Sequence, residues 1–219
     1  MLASQLIFST YPSIDIEDNA SFAIQLMEDY DVQHLPVVND NKFVGLVSKD
    51  DLLDIDENTV ISGSHIELDK TSVSAKDHFL TAVKLCNEHN LTVMPVIDGQ
   101  QELKGLITLQ DLIRAVALFH TVEEEGGLIV LEMDKRNYSF GEISRLVETN
   151  DAHIVQLNTY IEAETGMFMV ALKINKFEVS DVVSTFQRYE YNIKYYFGEE
   201  LYENELKENF DLLMNYLKM

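Results

Sequence analysis

One segment occurs twice in this chain, and this duplication constrains the fold more than any other feature of the sequence. Leu-Pro-Val-Val at residues 35–38 precedes Gly-Leu-Val-Ser-Lys-Asp-Asp at 45–51, and Met-Pro-Val-Ile at 94–97 precedes Gly-Leu-Ile-Thr-Leu-Gln-Asp at 105–111. The copies are 59 residues apart at the prolines and 60 apart at the glycines, so the second copy has one additional residue in the intervening loop. A duplicated unit can bury its apolar faces against its twin. The repeat therefore predicts two similar lobes, and the cleft between them is a natural ligand site.

Each copy has the residue pattern of a β-α-β-β-α unit. Apolar residues at helical spacing follow Asp18 in the first copy and Asp77 in the second, and we expect these aspartates to cap the two helices. Apolar runs separated by turn residues predict paired strands, at 32–38 with 43–47 and at 91–97 with 103–107. A second helix is expected from Ser48 in the first copy, and from Thr108 to about Thr121 in the second.

A different unit follows the acidic and glycine-rich segment Glu123–Gly127, which interrupts both periodicities. Its predicted elements have the order β-α-β-β-α-β, the split arrangement of ferredoxin-like folds. The strands are expected at 128–133, 153–161, 167–174 and 191–197, and the helices at 139–149 and 179–188. An apolar stripe predicts a closing helix over 201–218. The stripe consists of Leu206, Phe210, Leu213 and Leu217.

We therefore predict an α+β protein with three parts. A chain of 219 residues is long enough for a repeat pair and a further domain, each with its own core. The predicted parts are a repeat pair at 1–122, divided into about 1–60 and 61–122, a second domain at 126–200, and a C-terminal helix at 201–219.

The charge balance excludes several classes of partner. The chain has 16 basic and 38 acidic residues, a net charge of −22, and no dense cluster of lysine and arginine. Nucleic acids and anionic membrane surfaces need such a cluster, so we expect neither as a partner. No apolar run reaches the length of a membrane span. The single cysteine, Cys86, lies on the apolar face of a predicted helix and fits a reducing compartment, so we expect a cytoplasmic protein with Cys86 in its core.

The pattern Gly-apolar-apolar-Ser/Thr-x-x-Asp in each copy has two explanations. At the start of a helix, Ser-x-x-Asp and Thr-x-x-Asp are capping-box variants, which is a purely structural role. The pattern also recurs together with the strand and the Leu-Pro or Met-Pro dipeptide that precede it. This combined recurrence favours a role for both copies of the motif in one site.

With these motifs, residues 1–121 resemble a pair of CBS domains, known as a Bateman module. The resemblance implies two repeats about a pseudo-twofold axis, with two clefts of the kind that often bind adenosyl ligands. Ser48 and Asp51 would contact one ribose, and Thr108 and Asp111 the other. A carboxylate can accept hydrogen bonds from two ribose hydroxyls, and the N–H groups at a helix start suit a phosphate. The apolar walls and backbone groups for adenine would come from Leu35, Pro36, Met94 and Pro95.

The residues between hydroxyl and aspartate bear on which ligand fits. Many family members have arginine or lysine there, whereas this chain has Lys49 followed by Asp50 in one copy, and Leu109 followed by Gln110 in the other. In so acidic a protein, repulsion disfavours ATP without a metal ion. AMP, ATP and S-adenosylmethionine are the candidate regulatory ligands, and a monophosphate or an uncharged adenosyl group is the easiest to accommodate.

The second domain, at about 126–198, resembles an ACT or ACT-like domain in its element order and in the strand–helix joint at 133–139. ACT domains often bind amino acids with the help of a glycine at this joint. Here Gly141 falls inside the predicted helix, so sheet pairing in a homodimer is the expected role. A CBS pair followed by an ACT-like domain resembles the bacterial acetoin-utilisation B-type proteins.

Other motifs do not indicate chemistry. Asp54–Asn58 imitates the start of a calcium loop, but Thr59 replaces the required glycine and no bidentate glutamate follows. No metal-ligand spacing and no catalytic constellation is present. We therefore expect a non-enzymatic regulatory protein that senses an adenosine-containing metabolite and acts on a protein partner through dimer rearrangement. The alternatives are a structural interaction module with unoccupied clefts, or an enzyme whose site has no recognisable motif.

Overall fold

The computed structural model describes residues 1–7 and 12–198. These residues form two compact units: the first is Met1–Ala117 and the second begins at Leu118. The closing helix predicted for 201–219 lies outside the described residues. No helix within the described part of the chain combines the length and apolar character needed to cross a membrane.

The two copies in the first unit have the same topology. The first comprises β1 (Ile14–Asp15), α1 (Ala20–Asp29), β2 (His34–Asn39), β3 (Lys42–Ser48) and α2 (Lys49–Leu53). The second comprises β4 (Val73–Ser74), α3 (Phe79–His89), β5 (Val93–Ile97), β6 (Leu103–Thr108) and α4 (Leu109–Phe119). Each forms a three-stranded sheet in which the first strand is parallel and the third antiparallel to the second. The predicted β-α-β-β-α repeat is confirmed.

The first helix of each copy begins one residue later than predicted. Asn19 and His78 are the N-caps of α1 and α3, so the prediction that Asp18 and Asp77 fill this position is wrong. The carboxylate of each aspartate instead accepts a hydrogen bond from the backbone N–H three residues earlier, at 2.8 and 2.9 Å. Each aspartate therefore closes the turn that follows a two-residue strand, and the next residue is left to cap the helix.

The two copies share one hydrophobic core. Leu35 and Val37 from β2 pack in the same cluster as Met94 and Val96 from β5, and all four side chains have no exposed surface. Cys86 is also buried in this core, as expected, and burial raises the pKa of its thiol to about 11. A thiol with a raised pKa carries little thiolate at neutral pH, so this cysteine serves packing.

The second unit has the predicted β-α-β-β-α-β order. Its elements are β7 (Leu128–Met133), α5 (Phe140–Glu148), β8 (Ile154–Ile161), β9 (Phe168–Ile174), α6 (Ser180–Arg188) and β10 (Asn192–Phe197). The sheet is antiparallel throughout, in the order β10-β7-β9-β8. Helices α5 and α6 cover one face, where residues such as Ile129, Leu172 and Phe186 are fully buried.

Candidate ligand-binding site

The first hydroxyl–carboxylate pair lies where β3 passes into α2. Ser48 is the N-cap of α2, and its Oγ accepts a hydrogen bond from the backbone N–H of Asp51 at 3.1 Å. The Ser48 hydroxyl in turn donates to Oδ2 of Asp51 at 2.5 Å. Asp51 is exposed, and its Oδ1 has no hydrogen-bond partner among the described residues.

The second pair has the same internal geometry in a different environment. The Thr108 hydroxyl donates to Oδ2 of Asp111 at 2.5 Å, and the backbone N–H of Thr108 donates to the same oxygen at 3.2 Å. Arg114 donates to the other oxygen, Oδ1, at 3.3 Å. Thr108 and Asp111 are only 6% and 5% exposed. Both oxygens of the second carboxylate therefore have protein partners, whereas the first carboxylate has one oxygen free to accept from a ligand.

The apolar residues predicted to line the clefts lie in the strands next to these pairs. Pro36 in β2 is paired with Leu46 of β3, and Pro95 in β5 is paired with Leu106 of β6. Both prolines are buried, and so are Leu35 and Met94, which directly precede them. Leu35, Pro36, Met94 and Pro95 are thus core residues of the first unit, and their strands support the strands that end at Ser48 and Thr108.

His34 is a site residue that the sequence patterns did not single out. It lies opposite Ser48 in the β2–β3 ladder, where the second copy has Val93 opposite Thr108. Its Nδ1 lies 3.1 Å from the Thr92 hydroxyl and accepts from the Thr92 backbone N–H at 3.3 Å. Because a backbone N–H can only donate, Nδ1 is an acceptor here and the ring proton is on Nε2. The difference between the copies at this position was the available signal.

Two opposing effects act on the pKa of His34. Burial lowers the pKa of His34 below its usual value, while the charges of Asp69, Asp51 and Asp50 act in the opposite direction. Asp69 is held beside β3 because its backbone exchanges hydrogen bonds with Leu46, at 2.6 and 3.0 Å. His34 thus lies opposite Ser48 of the first pair and accepts a hydrogen bond from Thr92 of the second copy. It also lies in the electrostatic field of Asp69, in the segment between the copies.

Positive charge near the first pair is scarce. Lys49 Nζ forms an ion pair with Glu28 at 3.0 Å, and the next residue is the acidic Asp50. In the second copy, Leu109 and Gln110 occupy the corresponding positions. Across the described residues, no group of three or more histidine, cysteine, aspartate or glutamate side chains is placed to hold a metal ion.

The repeat and its two hydroxyl–carboxylate pairs define the class of the first unit. Residues 3–58 and 67–118 match the CBS domain family model, one match in each copy. The chain therefore carries a tandem pair of CBS domains.

The curated relatives are longer proteins. Inosine-5'-monophosphate dehydrogenase of Streptococcus pyogenes is 26% identical over 119 residues, which are 52% of this chain and 24% of the enzyme. The Bacillus subtilis (strain 168) enzyme of the same name is 24% identical over 160 residues, 70% of this chain and 33% of that protein. The chain thus spans 24% to 33% of the length of these relatives.

Two solved structures resemble this chain over about half of its length. A CBS domain pair/ACT domain protein from Thermotoga maritima is 25% identical with a TM-score of 0.50, over 54% of this chain and 98% of that one. The structure of CBSX2 in complex with AMP is 22% identical with a TM-score of 0.48, over 54% of this chain and 97% of that one. With a TM-score below 0.5, the second likeness supports no conclusion about this chain.

Proposed function

We propose that the CBS pair is a regulatory module that binds an adenosine-containing ligand in the first cleft, with the ribose on Asp51. The observation that carries this proposal is the exposed Asp51 carboxylate, whose Oδ1 is free among the described residues while Oδ2 is held by Ser48. A carboxylate held in this way can accept hydrogen bonds from both hydroxyls of a ribose.

The scarcity of positive charge narrows the ligand class. Lys49 is already paired with Glu28, Asp50 adds a negative charge, and the whole chain carries −22. A triphosphate without a metal ion would be repelled by this field. AMP and S-adenosylmethionine therefore suit the cleft better than ATP, which would need Mg²⁺ to bind.

We assign a structural role to the second pair. Asp111 is 5% exposed and both of its oxygens have partners, so a ribose could reach it only after the contacts with Thr108 and Arg114 are broken. Breaking a buried network of this kind costs free energy that a ligand would have to supply. We therefore expect one adenosyl ligand for each chain.

Calorimetric titration of the full chain with AMP, S-adenosylmethionine and ATP, with and without Mg²⁺, tests this function. We expect saturable binding of one ligand per chain, and an affinity that falls about ten- to hundredfold in Asp51→Ala, because a charge-assisted hydrogen bond contributes about 1.5–3 kcal/mol. Asp50→Ala is the matched control, since it removes a neighbouring exposed carboxylate and should leave binding intact. Unchanged affinity in Asp51→Ala would contradict the proposal.

The second candidate is a structural interaction module whose clefts stay unoccupied. It is favoured by the complete pairing of Asp111 and by the burial of the predicted cleft walls. A sensor gains thermal stability when its ligand is added, whereas a scaffold responds only to a protein partner. A flat thermal-shift response to all the adenosyl ligands would therefore favour the scaffold.

We further propose that the protein acts as a cytoplasmic homodimer, non-enzymatic and coupled to a protein partner. An apolar groove of about 450 Å³ lies between α3 and α4, and its lining includes Leu109, 40% exposed, and Ile113, 68% exposed. A second copy of the chain would cover these side chains. The second unit is ACT-like in this proposal, which its strand order supports, and we place the chain with the acetoin-utilisation B-type group. Ligand binding would shift the population of dimer arrangements and so change the surface offered to the partner.

A further inference from the structure

The second unit contains a cavity of about 440 Å³ on the face of the sheet that α5 and α6 do not cover. Lys173, Gln156 and Leu128 form one row across β9, β8 and β7, because each is paired with its neighbour in the strand register. The neighbouring residues in each strand, such as Leu172 next to Lys173, pack into the core that the helices cover. Successive side chains alternate between the faces of a sheet, so this row faces away from the helices.

The connection between α4 and β7 forms the other wall of the cavity. Lys173 Nζ donates to the carbonyl oxygens of Thr121 at 2.7 Å and Val122 at 3.4 Å, and thereby holds the connection against the sheet. His120 Nδ1 contacts the side-chain amide of Gln156 and lies 3.3 Å from that of Asn158. These contacts bring together side chains that are more than thirty residues apart in the chain.

Thr121, in the middle of this connection, has two energetically unfavourable features. Its φ of 45° is in the left-handed region, which a β-branched residue rarely adopts. Its Oγ1 is buried and has no hydrogen-bond partner among the described residues. Thr121 lies between the lining residues His120 and Val122, so the strained backbone and the unpaired buried hydroxyl border the cavity.

The chemistry of the lining indicates the ligand. The chain has 38 acidic residues, yet none of those within 1–7 and 12–198 lines this cavity. Lys173 and the amides of Gln156 and Asn158 supply hydrogen-bond donors, while Val122 and Leu128 supply apolar surface. A single ammonium that already serves two carbonyl oxygens can balance one negative charge, and a phosphate dianion would need more. The exposed acidic residues 123–125, which follow the lining residue Val122, also disfavour a multiply charged ligand.

We propose that this cavity binds a small organic acid, with the carboxylate on Lys173 and the two amides and the hydrocarbon part against Val122 and Leu128. Every residue involved belongs to the second unit. The inference therefore does not rest on the adenosyl ligand of the CBS pair, and Asp51→Ala should leave it unaffected.

Calorimetric titration of the full chain with hexanoate tests the proposal, with hexanamide as the uncharged ligand of the same shape and inorganic phosphate as the alternative anion. We expect saturable binding of hexanoate alone. Lys173→Met should weaken that binding about tenfold or more, because it removes the charged donor. Lys176→Met is the matched control: Lys176 also donates to a backbone carbonyl in this unit, that of Asn150 at 3.0 Å, but it does not line the cavity.

Lys173→Met also removes the contacts that hold the connection, so a second variant keeps the test decisive. Asn158→Leu removes a donor from an exposed strand position without touching the contacts of Lys173, and we expect it to weaken hexanoate binding as well. Absence of saturable hexanoate binding, equal binding of hexanamide or phosphate, or full affinity in Lys173→Met would each overturn the proposal.

Discussion

Protonation of His34 would place a positive charge at a partly buried position of the CBS pair. Its neutral ring accepts from the Thr92 backbone N–H, and this contact joins the two copies. A proton on Nδ1 would make this nitrogen a donor. It would then face the backbone N–H of Thr92, which is also a donor, and the hydrogen bond would be lost. Burial opposes the charged form as well, which is why the pKa of His34 is lowered despite the acidic neighbours Asp69, Asp51 and Asp50.

The lowered pKa of His34 predicts a loss of stability on acidification. Below the ordinary pKa of 6.5, the unfolded chain binds a proton at this histidine that the folded chain does not yet bind. Stability therefore falls as the pH drops from 6.5 towards the folded-state pKa. Urea denaturation at pH 7.5 and 5.5 should show a smaller loss in His34→Gln than in the unchanged protein. The exposed His153→Gln is the control, and an equal loss in all three proteins would count against the prediction.

At the scale of elements, two glycines of the second unit, Gly127 and Gly141, have opposite packing constraints. A Cβ at Gly127, just before β7, would lie 2.1 Å from Cγ1 of Val179 and 3.0 Å from the carbonyl oxygen of Lys176. The chain can make this close approach only without a side chain. A Cβ at Gly141, inside α5, would meet nothing within 4 Å. The first glycine is required by packing and the second is a weak point of a helix.

Alanine at these two positions should therefore act in opposite directions. We expect Gly127→Ala to lower the free energy of unfolding by about 1–3 kcal/mol through overpacking. Gly141→Ala should raise it by about 0.5–1 kcal/mol, because alanine loses less backbone entropy in a helix. Urea denaturation of both variants measures the difference, and each serves as the control for the other. Equal effects would show that the space around Gly127 can adjust.

Some boundaries of helices and strands follow from periodicity, and others depend on the local use of a single residue. Strands β7 and β9 and helix α6 lie within one residue of their predicted ranges, because periodicity depends on near neighbours. The helix caps were wrong by one residue because Asp18 and Asp77 are also suited to closing the turn after a strand. The role of each aspartate depends on where the preceding strand ends. Strands as short as β1 and β4 have no periodic pattern from which that end could be predicted.

For the whole molecule, the groove between α3 and α4 predicts self-association. Sedimentation velocity of the full chain should show a dimer, and Ile113→Asp should yield a monomer because it places a charge among the apolar side chains that a second copy would cover under the proposed function. Leu80→Asp is the matched control, since Leu80 is 40% exposed on α3 but does not line the groove. A dimer that persists in Ile113→Asp would place the contact on another surface.

Sequence patterns were sufficient to predict the duplicated architecture, the element order of both units, and the two hydroxyl–carboxylate pairs. The duplication is visible as matching segments 59 and 60 residues apart. The elements and the pairs follow from contacts between near neighbours, such as Ser48 with Asp51, which local patterns indicate. The burial of Asp111 and the exposure of Asp51 follow from tertiary packing, and no local pattern predicts them. Tertiary packing also joins His34 to Thr92, and brings Lys173 to the carbonyls of a connection some fifty residues earlier. Burial and electrostatic environment depend on which distant segments pack together, and the corresponding motifs in the two copies of the repeat therefore lie in different environments.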